Sequence, residues 1–271
     1  NMNIPFIKMH GLGNDFIIFD NINNSIISDK NFIRQIGNRR LGIGCDQLMM
    51  IENTSKKDNF KIKMYNSDGS ETGACGNGTR CVADYIMNKE NLHTVNIETI
   101  SGELKCSRSK NGIKVNMGLP KFSWRDIPLA YETDTLKVAL DEFNACCISI
   151  GNPHAVIFIS NLGELENLNL ESIGPRLEKN SIFPDLANIE FACVTKNGTI
   201  RMRVWERGVG ITSACGSGAC ATSIAASLLG LSSKENQIIL DGGNLFIKWL
   251  EDQTVTLSGP TEKVFEGIIG I

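Results

Sequence analysis

The chain has no excess of positive charge, since its 27 Lys and Arg residues are outnumbered by 30 Asp and Glu, for a formal net charge of -3. Proteins that hold the phosphate backbone of nucleic acids without regard to sequence carry a basic surface instead. The composition therefore argues against nucleic acid as a partner.

Signals for export or membrane insertion are also scarce. The first ten residues, NMNIPFIKMH, contain no apolar segment followed by a small-residue cleavage site. The longest charge-free stretch, residues 208–233, is interrupted by Gly and Ser, which favours a buried loop and a core helix over a membrane span. Nine cysteines, an odd number, then favour free thiols in a reducing compartment. We expect a cytoplasmic protein without membrane association.

Residues for a metal site are few, because the chain has three histidines and none of them completes a cluster. Cys75 and Cys81 are separated by five residues, unlike the Cys-x2-Cys and Cys-x4-Cys pairs of common zinc sites, and no His cluster completes a ligand set for Cys215 and Cys220. We expect no metal. What the chain does have is 271 residues and 42% hydrophobic side chains, enough for two globular domains.

The sequence repeats itself at an offset of 140 residues. Residues 60–65 and 200–205 both alternate apolar and polar side chains, which is the period of a half-buried strand. Each segment is followed by a polar residue, and a cysteine stands nine positions after that residue. The matching pairs include Asn66 and Glu206, Cys75 and Cys215, Gly76 and Gly216, Gly78 and Gly218, and Pro120 and Pro260.

The repeat predicts the fold. Helical spacing over residues 76–89 and 216–229 indicates a helix after each cysteine, and short strands with tight turns follow both helices. We expect an α+β fold of two similar domains related by a pseudo-twofold axis, each a mostly antiparallel sheet around a central helix. The predicted halves are residues 1–118 and 119–261, with residues 262–271 returning to the first half as a strand.

Two helix starts, ACGNGTRC at 74–81 and ACGSGAC at 214–220, indicate the chemistry. Their glycines permit close backbone approach, and no acidic residue occupies either first turn, so the first N–H groups can receive an anion. If the two starts converge on one interdomain cleft, a bound amino acid carboxylate places one sulfur on each face of its α-carbon. One thiolate removes the α-proton while the opposite thiol delivers another, so the pair must share one proton.

A single such motif is explained as well by an ordinary cysteine at a helix start, but two motifs at duplicated positions favour a catalytic pair. Six blocks also resemble those of the diaminopimelate epimerase family, in its order and from end to end. They are FIKMHGLGNDF, RRLGIGCDQ, NSDGSETGACGNGTRC, GNPH, WERGVGITSACGSGACA and GPTEKVFEG.

The resemblance implies interconversion of LL- and meso-2,6-diaminopimelate without a cofactor, in lysine and peptidoglycan precursor biosynthesis. It implies the fold of that family, and a homodimer is a further expectation. The catalytic residues it implies are Cys75, Cys215, His154 and Glu206. The substrate-binding residues it implies are Asn14, Gln47, Asn66, Gly76, Asn77, Asn152, Asn188, Glu206, Arg207, Gly216 and Ser217.

The implied residues suit a substrate with a second amino acid centre that must not react. A guanidinium can bind the carboxylate of that centre, a carboxylate can bind its ammonium, and several amides can hydrogen-bond to both. His154 is expected to support one of the two cysteines, whereas His10 and His93 are interpreted as structural. The other seven cysteines, at 45, 81, 106, 146, 147, 193 and 220, are interpreted as packing residues.

Two alternatives stay open on sequence grounds. A proline racemase-like isomerase would share both cysteines but would not need to grip a second carboxylate, so Arg207 and the asparagines argue against it. A thiol redox or metal-binding protein is the alternative from another class, and bound zinc on the purified protein would favour it.

Overall fold

The computed structural model describes residues 3–21, 29–54, 59–73 and 75–270. The chain divides into two compact units, residues 1–115 with 258–271, and residues 116–257. The halves 1–118 and 119–261 describe the sequence repeat and stay a prediction. In the described part of the chain, no helix is long and apolar enough to cross a membrane.

The described residues of the first unit form a mixed, mostly antiparallel sheet with two helices. Its strands are β1 (Asn3–Gly11), β2 (Asn14–Asp20), β3 (Gln47–Asn53), β4 (Asn59–Asn66), β5 (Glu71–Thr72), β6 (Thr94–Thr99), β7 (Gly102–Ser109), β8 (Gly112–Asn116) and, from the end of the chain, β18 (Glu262–Gly270). Its helices are α1 (Lys30–Gly37) and α2 (Gly76–Lys89). β2 with β3 and β4 with β6 are parallel pairs, whereas β1 pairs antiparallel with both β2 and β18.

The second unit contains three helices and a sheet of the same type. Its strands are β9 (Val138–Leu140), β10 (Phe143–Ser149), β11 (Pro153–Phe158), β12 (Asn188–Val194), β13 (Ile200–Glu206), β14 (Gly210–Ile211), β15 (Glu235–Leu240), β16 (Gly243–Trp249) and β17 (Val255–Gly259). Its helices are α3 (Leu162–Asn167), α4 (Leu170–Glu178) and α5 (Gly216–Leu228).

The two units follow one plan. In the first unit β3, β4 and β5 pair antiparallel in sequence, α2 follows, and β6 returns parallel to β4. In the second unit β12, β13 and β14 pair in the same way, α5 follows, and β15 returns parallel to β13. The α+β class and the two repeated sheet-and-helix domains are thereby confirmed.

Both central helices begin where the sequence predicts, at Gly76 and Gly216, and each has its cysteine as N-cap. Helix α5 is buried along nearly its whole length, because its small side chains Gly, Ala, Ser and Cys let it lie close to the sheet. The loop before it differs from the prediction of a buried segment. Val209 and Ile211 are 73% and 43% exposed, whereas burial is continuous only from Ala214 into the helix.

Candidate active site

The first candidate half-site, called here the Cys75 site, is Cys75 with Asn14, Gln47, Asn66 and Asn77. The backbone N–H of Gly78 donates to Cys75 Sγ at 3.4 Å, so the sulfur itself caps α2. A helix N-terminus carries partial positive charge and favours an anion by about 0.3 to 1 kcal/mol. The cap therefore places the sulfur where a thiolate is stabilised.

Amide groups surround the Cys75 sulfur. The Cys75 thiol donates to Asn14 Oδ1 at 3.6 Å, and Asn77 Nδ2 donates to the same oxygen at 3.2 Å. Asn14 Nδ2 in turn donates to Asp46 at 2.9 Å, which fixes the orientation of the amide. Of the predicted residues, Cys75, Asn14 and Asn77 are thus brought together by β2 and the first turn of α2.

Gln47 and Asn66 form a second amide pair in this unit. They lie opposite each other on β3 and β4, and Gln47 Nε2 donates to Asn66 Oδ1 at 3.1 Å. Asn66 Nδ2 donates to Ser70 at 3.0 Å. Among the described residues Gln47 Oε1 is buried and has no hydrogen-bond partner, so it can accept from a bound ligand.

An ionic cluster fixes the turn that carries Asn14. Arg39 binds both carboxylate oxygens of Asp15, at 2.8 and 2.6 Å, and Lys8 donates to the same carboxylate at 2.6 Å. Burial works against the charge of Asp15, but the bonds from Arg39 and Lys8 outweigh it and hold the pKa of Asp15 well below its usual range. Sequence reasoning missed this cluster.

The second candidate half-site, called here the Cys215 site, is Cys215 with Asn152, His154, Glu206 and Ser217. Here too the sulfur caps its helix, because the N–H of Gly218 donates to Cys215 Sγ at 3.3 Å. Ser217 Oγ is 3.7 Å from the sulfur. Gly216 and Ser217 are the first two helical residues, and their N–H groups have no carbonyl partner within α5.

Glu206 brings a carboxylate to the Cys215 sulfur. It ends β13, as Asn66 ends β4, accepts a hydrogen bond from the hydroxyl of Thr212, and lies near enough to act on the Cys215 thiol through its charge. Burial raises the pKa of Glu206 above its ordinary value, and the bond from Thr212 opposes the rise.

Cys215 is a protonated thiol at neutral pH in this environment. Burial raises its pKa well above the ordinary value of a thiol, and the negative charges of Glu206 and Glu190 raise it further. The N–H of Gly218 and the hydroxyl of Ser217 act in the opposite direction but do not outweigh them. The helix terminus alone does not make this sulfur a thiolate.

Glu190 is a site residue that the sequence reasoning missed. It lies on β12 with no solvent exposure, and its Oε1 is 2.6 Å from Nδ1 of the equally buried His154. His154 Nε2 is 2.9 Å from Asn152 Oδ1, and Asn152 Nδ2 donates to Ser217 at 3.3 Å. A carboxylate inside an apolar strand is the sequence signal that identifies such a residue, since Glu is rarely buried without a partner.

Asn188 and Arg207 are joined through the backbone. Asn188 Nδ2 donates to Pro153 O, and Asn188 Oδ1 accepts from the N–H of Arg207, both at 2.9 Å. The Arg207 guanidinium is exposed and donates to the carbonyl of Asp185 at 3.2 Å. Buried Glu178 also stabilises the turn that contains Arg207 and Gly208. Its carboxylate accepts from the N–H of Gly208 at 2.7 Å and from Trp205 Nε1 at 2.8 Å.

The remaining cysteines fit the packing interpretation. All seven are buried and free of disulfides. Burial raises the pKa of Cys45, Cys106 and Cys146 to about 12, so they remain thiols at neutral pH. Within residues 3–21, 29–54, 59–73 and 75–270, no group of three or more His, Cys, Asp or Glu is placed to hold a metal ion.

Comparison with known proteins identifies relatives over nearly the whole chain. The family model described as diaminopimelate epimerase matches residues 6–123 and 146–264. A protein of Rhodospirillum centenum named diaminopimelate epimerase is 44% identical over 97% of this chain and 91% of its own length. A protein of Acidiphilium cryptum with the same name is 42% identical over 97% of this chain and 95% of its own length.

Solved structures with little sequence similarity to this chain share its fold. A Bacillus anthracis phenazine biosynthesis protein of the PhzF family has a TM-score of 0.71 over the full length of both chains, at 17% identity. Such low identity establishes the fold alone. The family match over both repeated halves and the full-length relatives go further: the chain belongs to the diaminopimelate epimerase family.

Proposed function

We propose that this protein converts LL-2,6-diaminopimelate to meso-diaminopimelate without a cofactor, using Cys75 and Cys215 as the acid/base pair. The observation that carries the proposal is the identical placement of the two cysteines: each caps a buried helix after the same strand plan. The relatives at 42 to 44% identity support the substrate.

In this mechanism Cys215 begins as the proton donor. Its burial and the adjacent Glu206 favour the thiol, whose proton passes to the α-carbon; the Cys215 thiolate left behind is the base of the return reaction. Cys75, whose sulfur accepts from the N–H of Gly78 at the start of α2, then acts as the thiolate that removes the α-proton. The N–H groups of Gly76, Asn77, Gly216 and Ser217 bind the carboxylate of the reacting centre, where negative charge develops in the transition state.

The second centre of the substrate is held by groups that do not exchange protons with it. The exposed Arg207 guanidinium binds the distal carboxylate, and amide oxygens such as Gln47 Oε1 bind the distal ammonium. The other predicted amides, Asn66, Asn152 and Asn188, orient these groups through the hydrogen bonds described above. A substrate with one amino acid centre would leave Arg207 without a partner carboxylate.

Two further expectations belong to this proposal. The enzyme is cytoplasmic, where its thiols remain reduced, and it forms a homodimer. Strand β18 supports a second copy as the partner, because Val264, Phe265 and Ile268 are 53%, 46% and 71% exposed on it. Sedimentation of the purified protein as a monomer at micromolar concentration would contradict the dimer.

The activity is tested by incubating the purified protein with LL-diaminopimelate and following the meso isomer with a coupling dehydrogenase. L-proline serves as the parallel substrate, followed by polarimetry. We expect turnover of diaminopimelate and none of proline. Racemisation of proline alone, or stoichiometric zinc with no epimerisation, would contradict the proposal.

A further inference from the structure

A pair of side chains lies behind each cysteine helix, and the two pairs differ in chemistry. A Cβ placed on Gly78 of α2 would lie 2.1 Å from Met49 Cε and 3.2 Å from Phe16 Cε1. A Cβ placed on Gly218 of α5 would lie 2.7 Å from Glu190 Oε1. Behind α2 the pair is therefore apolar, whereas behind α5 it contains a buried carboxylate.

The strand register shows that these pairs occupy equivalent positions. On β2 and β3, Phe16 lies opposite Gln47, two residues before Met49; on β11 and β12, His154 lies opposite Asn188, two residues before Glu190. Across the next strand Met49 faces Met64 and Glu190 faces Val204, and these two partners are separated by the repeat offset. His154 and Glu190 thus replace Phe16 and Met49.

The replacement creates a chain of polar groups that ends at the Cys215 sulfur; Glu190 and His154 are buried in it, and Asn152 and Ser217 are half-buried. It runs from Glu190 Oε1 to His154 at 2.6 Å, from His154 to Asn152 at 2.9 Å, from Asn152 to Ser217 at 3.3 Å, and from Ser217 to Cys215 at 3.7 Å. Each ring nitrogen of His154 therefore has one polar partner, Asn152 Oδ1 at Nε2 and Glu190 Oε1 at Nδ1. Burying a polar side chain in an apolar strand costs free energy of desolvation. The contact between His154 and Glu190 offsets that cost only when both side chains are present.

We propose that Glu190 is a positioning residue for the epimerase reaction: it holds the His154 ring and, through Asn152 and Ser217, orients Cys215 at the start of α5. The proposal rests on the proposed function, but it concerns a carboxylate that does not touch substrate. It also gives the two cysteines unequal surroundings, since the corresponding position in the first unit is Met49. The acidic groups acting on Cys215 are Glu206 and Glu190.

The first test needs no substrate and no variant. The chain contains three histidines, of which only His154 is fully buried, so its nitrogens can be assigned in a ¹⁵N-histidine NMR spectrum of the intact protein. We expect a strongly hydrogen-bonded Nδ1 proton and a protonated Nε2. A His154 ring that exchanges freely between tautomers would overturn the proposal.

The second test is Glu190→Gln, which keeps the size of the side chain and removes its charge. We expect kcat to fall at least about tenfold while KM changes less than about threefold, because the change acts on the reacting group and not on substrate contacts. The Nδ1 proton signal of His154 should weaken or move. Wild-type kcat with an unchanged His154 spectrum would overturn the proposal.

The third test separates positioning from a structural role and from the proposed function itself. In a Cys75→Ser background, the pH dependence of Cys215 alkylation by iodoacetamide is compared with and without Glu190→Gln. We expect the alkylation midpoint to move to lower pH, since a negative charge near the sulfur is removed. An unmoved midpoint would contradict the proposal. This readout remains decisive even if the protein fails to epimerise diaminopimelate.

Two further variants control the comparison. Glu166→Gln makes the same chemical change at the ion pair with Arg201, 45% exposed on the carboxylate side, and should leave kcat, the His154 spectrum and alkylation unchanged. The double variant Glu190→Met with His154→Phe copies the apolar pair of the first unit. We expect it to fold, as cores tolerate apolar pairs of similar volume, and to lose kcat. Full activity in the double variant would overturn the proposal.

Discussion

The first and second units share a strand order, a helix position and a sulfur cap, yet they surround the two sulfurs with different chemistry. The Cys75 sulfur contacts the neutral amide of Asn14, whereas the Cys215 sulfur is subject to the charge of the ionisable Glu206. Duplication thus preserved where each sulfur lies relative to its helix, while the side chains on the adjacent strands diverged. The fold fixes where each sulfur lies, whereas a few neighbouring side chains determine whether that sulfur is protonated.

This difference matters for a reaction that needs one thiol and one thiolate. Two identical surroundings would leave the shared proton equally distributed, whereas a buried carboxylate beside one sulfur favours the proton there. A helix N-terminus contributes at most about 2 kcal/mol and acts on both sulfurs alike. The carboxylates are therefore the groups expected to decide which cysteine starts as the acid.

The largest effect is expected from removing either sulfur. Cys75→Ala and Cys215→Ala should each lower kcat by more than about a hundredfold, or about 2.7 kcal/mol of transition-state stabilisation, because each face of the α-carbon needs its own proton carrier. The coupled assay measures this loss. Cys81→Ala is the matched control, since the repeat already has Ala221 at that position, and it should keep activity. Turnover above a hundredth of wild type in either sulfur variant would refute the two-base proposal.

A smaller effect is expected when the Cys215 site is made to resemble the Cys75 site. Glu206→Asn introduces the residue found at the equivalent strand end, Asn66, and removes the carboxylate that favours the protonated form of Cys215. We expect kcat to fall at least about tenfold. Thr212→Val removes one hydrogen bond to Glu206 and keeps the carboxylate, so its loss should be smaller. Equal losses in both variants would show that the carboxylate itself is not needed.

Adding a methyl group to the two helix starts should distinguish the units further. In Gly78→Ala the new methyl meets the flexible end of Met49, which can move, whereas in Gly218→Ala it meets Glu190 and lies 3.1 Å from Cys215 Sγ. Overpacking of this kind costs about 1 to 3 kcal/mol. We expect the greater loss of kcat and of thermal stability in Gly218→Ala, measured by the coupled assay and calorimetry. A greater loss in Gly78→Ala than in Gly218→Ala would contradict the placement of an apolar pair behind α2 and a carboxylate behind α5.

The smallest effect concerns acid stability, which should depend on the first unit. Because the pKa of Asp15 is held below its unfolded value by Arg39 and Lys8, its contribution to stability is present above the unfolded pKa of about 3.9 and is lost as pH falls towards the folded pKa. The second unit has Pro153 at the corresponding place. Asp15→Asn should therefore lose less stability than wild type between about pH 4 and pH 2 in thermal melts. An equal fall in melting temperature for wild type and Asp15→Asn over this pH range would contradict the prediction.

Much of the fold follows from the sequence because period and turn chemistry are local. Alternation in residues 200–205 and glycines after Cys75 and Cys215 predict a strand and two helix starts, and these lie where expected. The prediction failed for the loop before α5: it treated an uncharged segment as buried, although Val209 and Ile211 are exposed.

The parts that could not be predicted depend on pairing between distant strands. Glu190 meets His154 only because β11 and β12 run parallel in one register, which no local pattern specifies. Glu178 contacts Trp205 and Gly208 from a helix thirty residues earlier, and its own neighbours give no sign of it. A carboxylate in an apolar strand, as at Glu190, signals that a buried partner is needed, but only the tertiary contacts identify that partner.

The central claim is that two different proton carriers, one from each unit, act on the two faces of one α-carbon. It is tested most directly by letting the enzyme act on LL-diaminopimelate in deuterated water and analysing both isomers at low conversion by mass spectrometry. The account predicts one deuterium at the inverted carbon of the meso product and none in the remaining LL substrate. A meso product that keeps the original α-proton would mean that a single base serves both faces, and would contradict it.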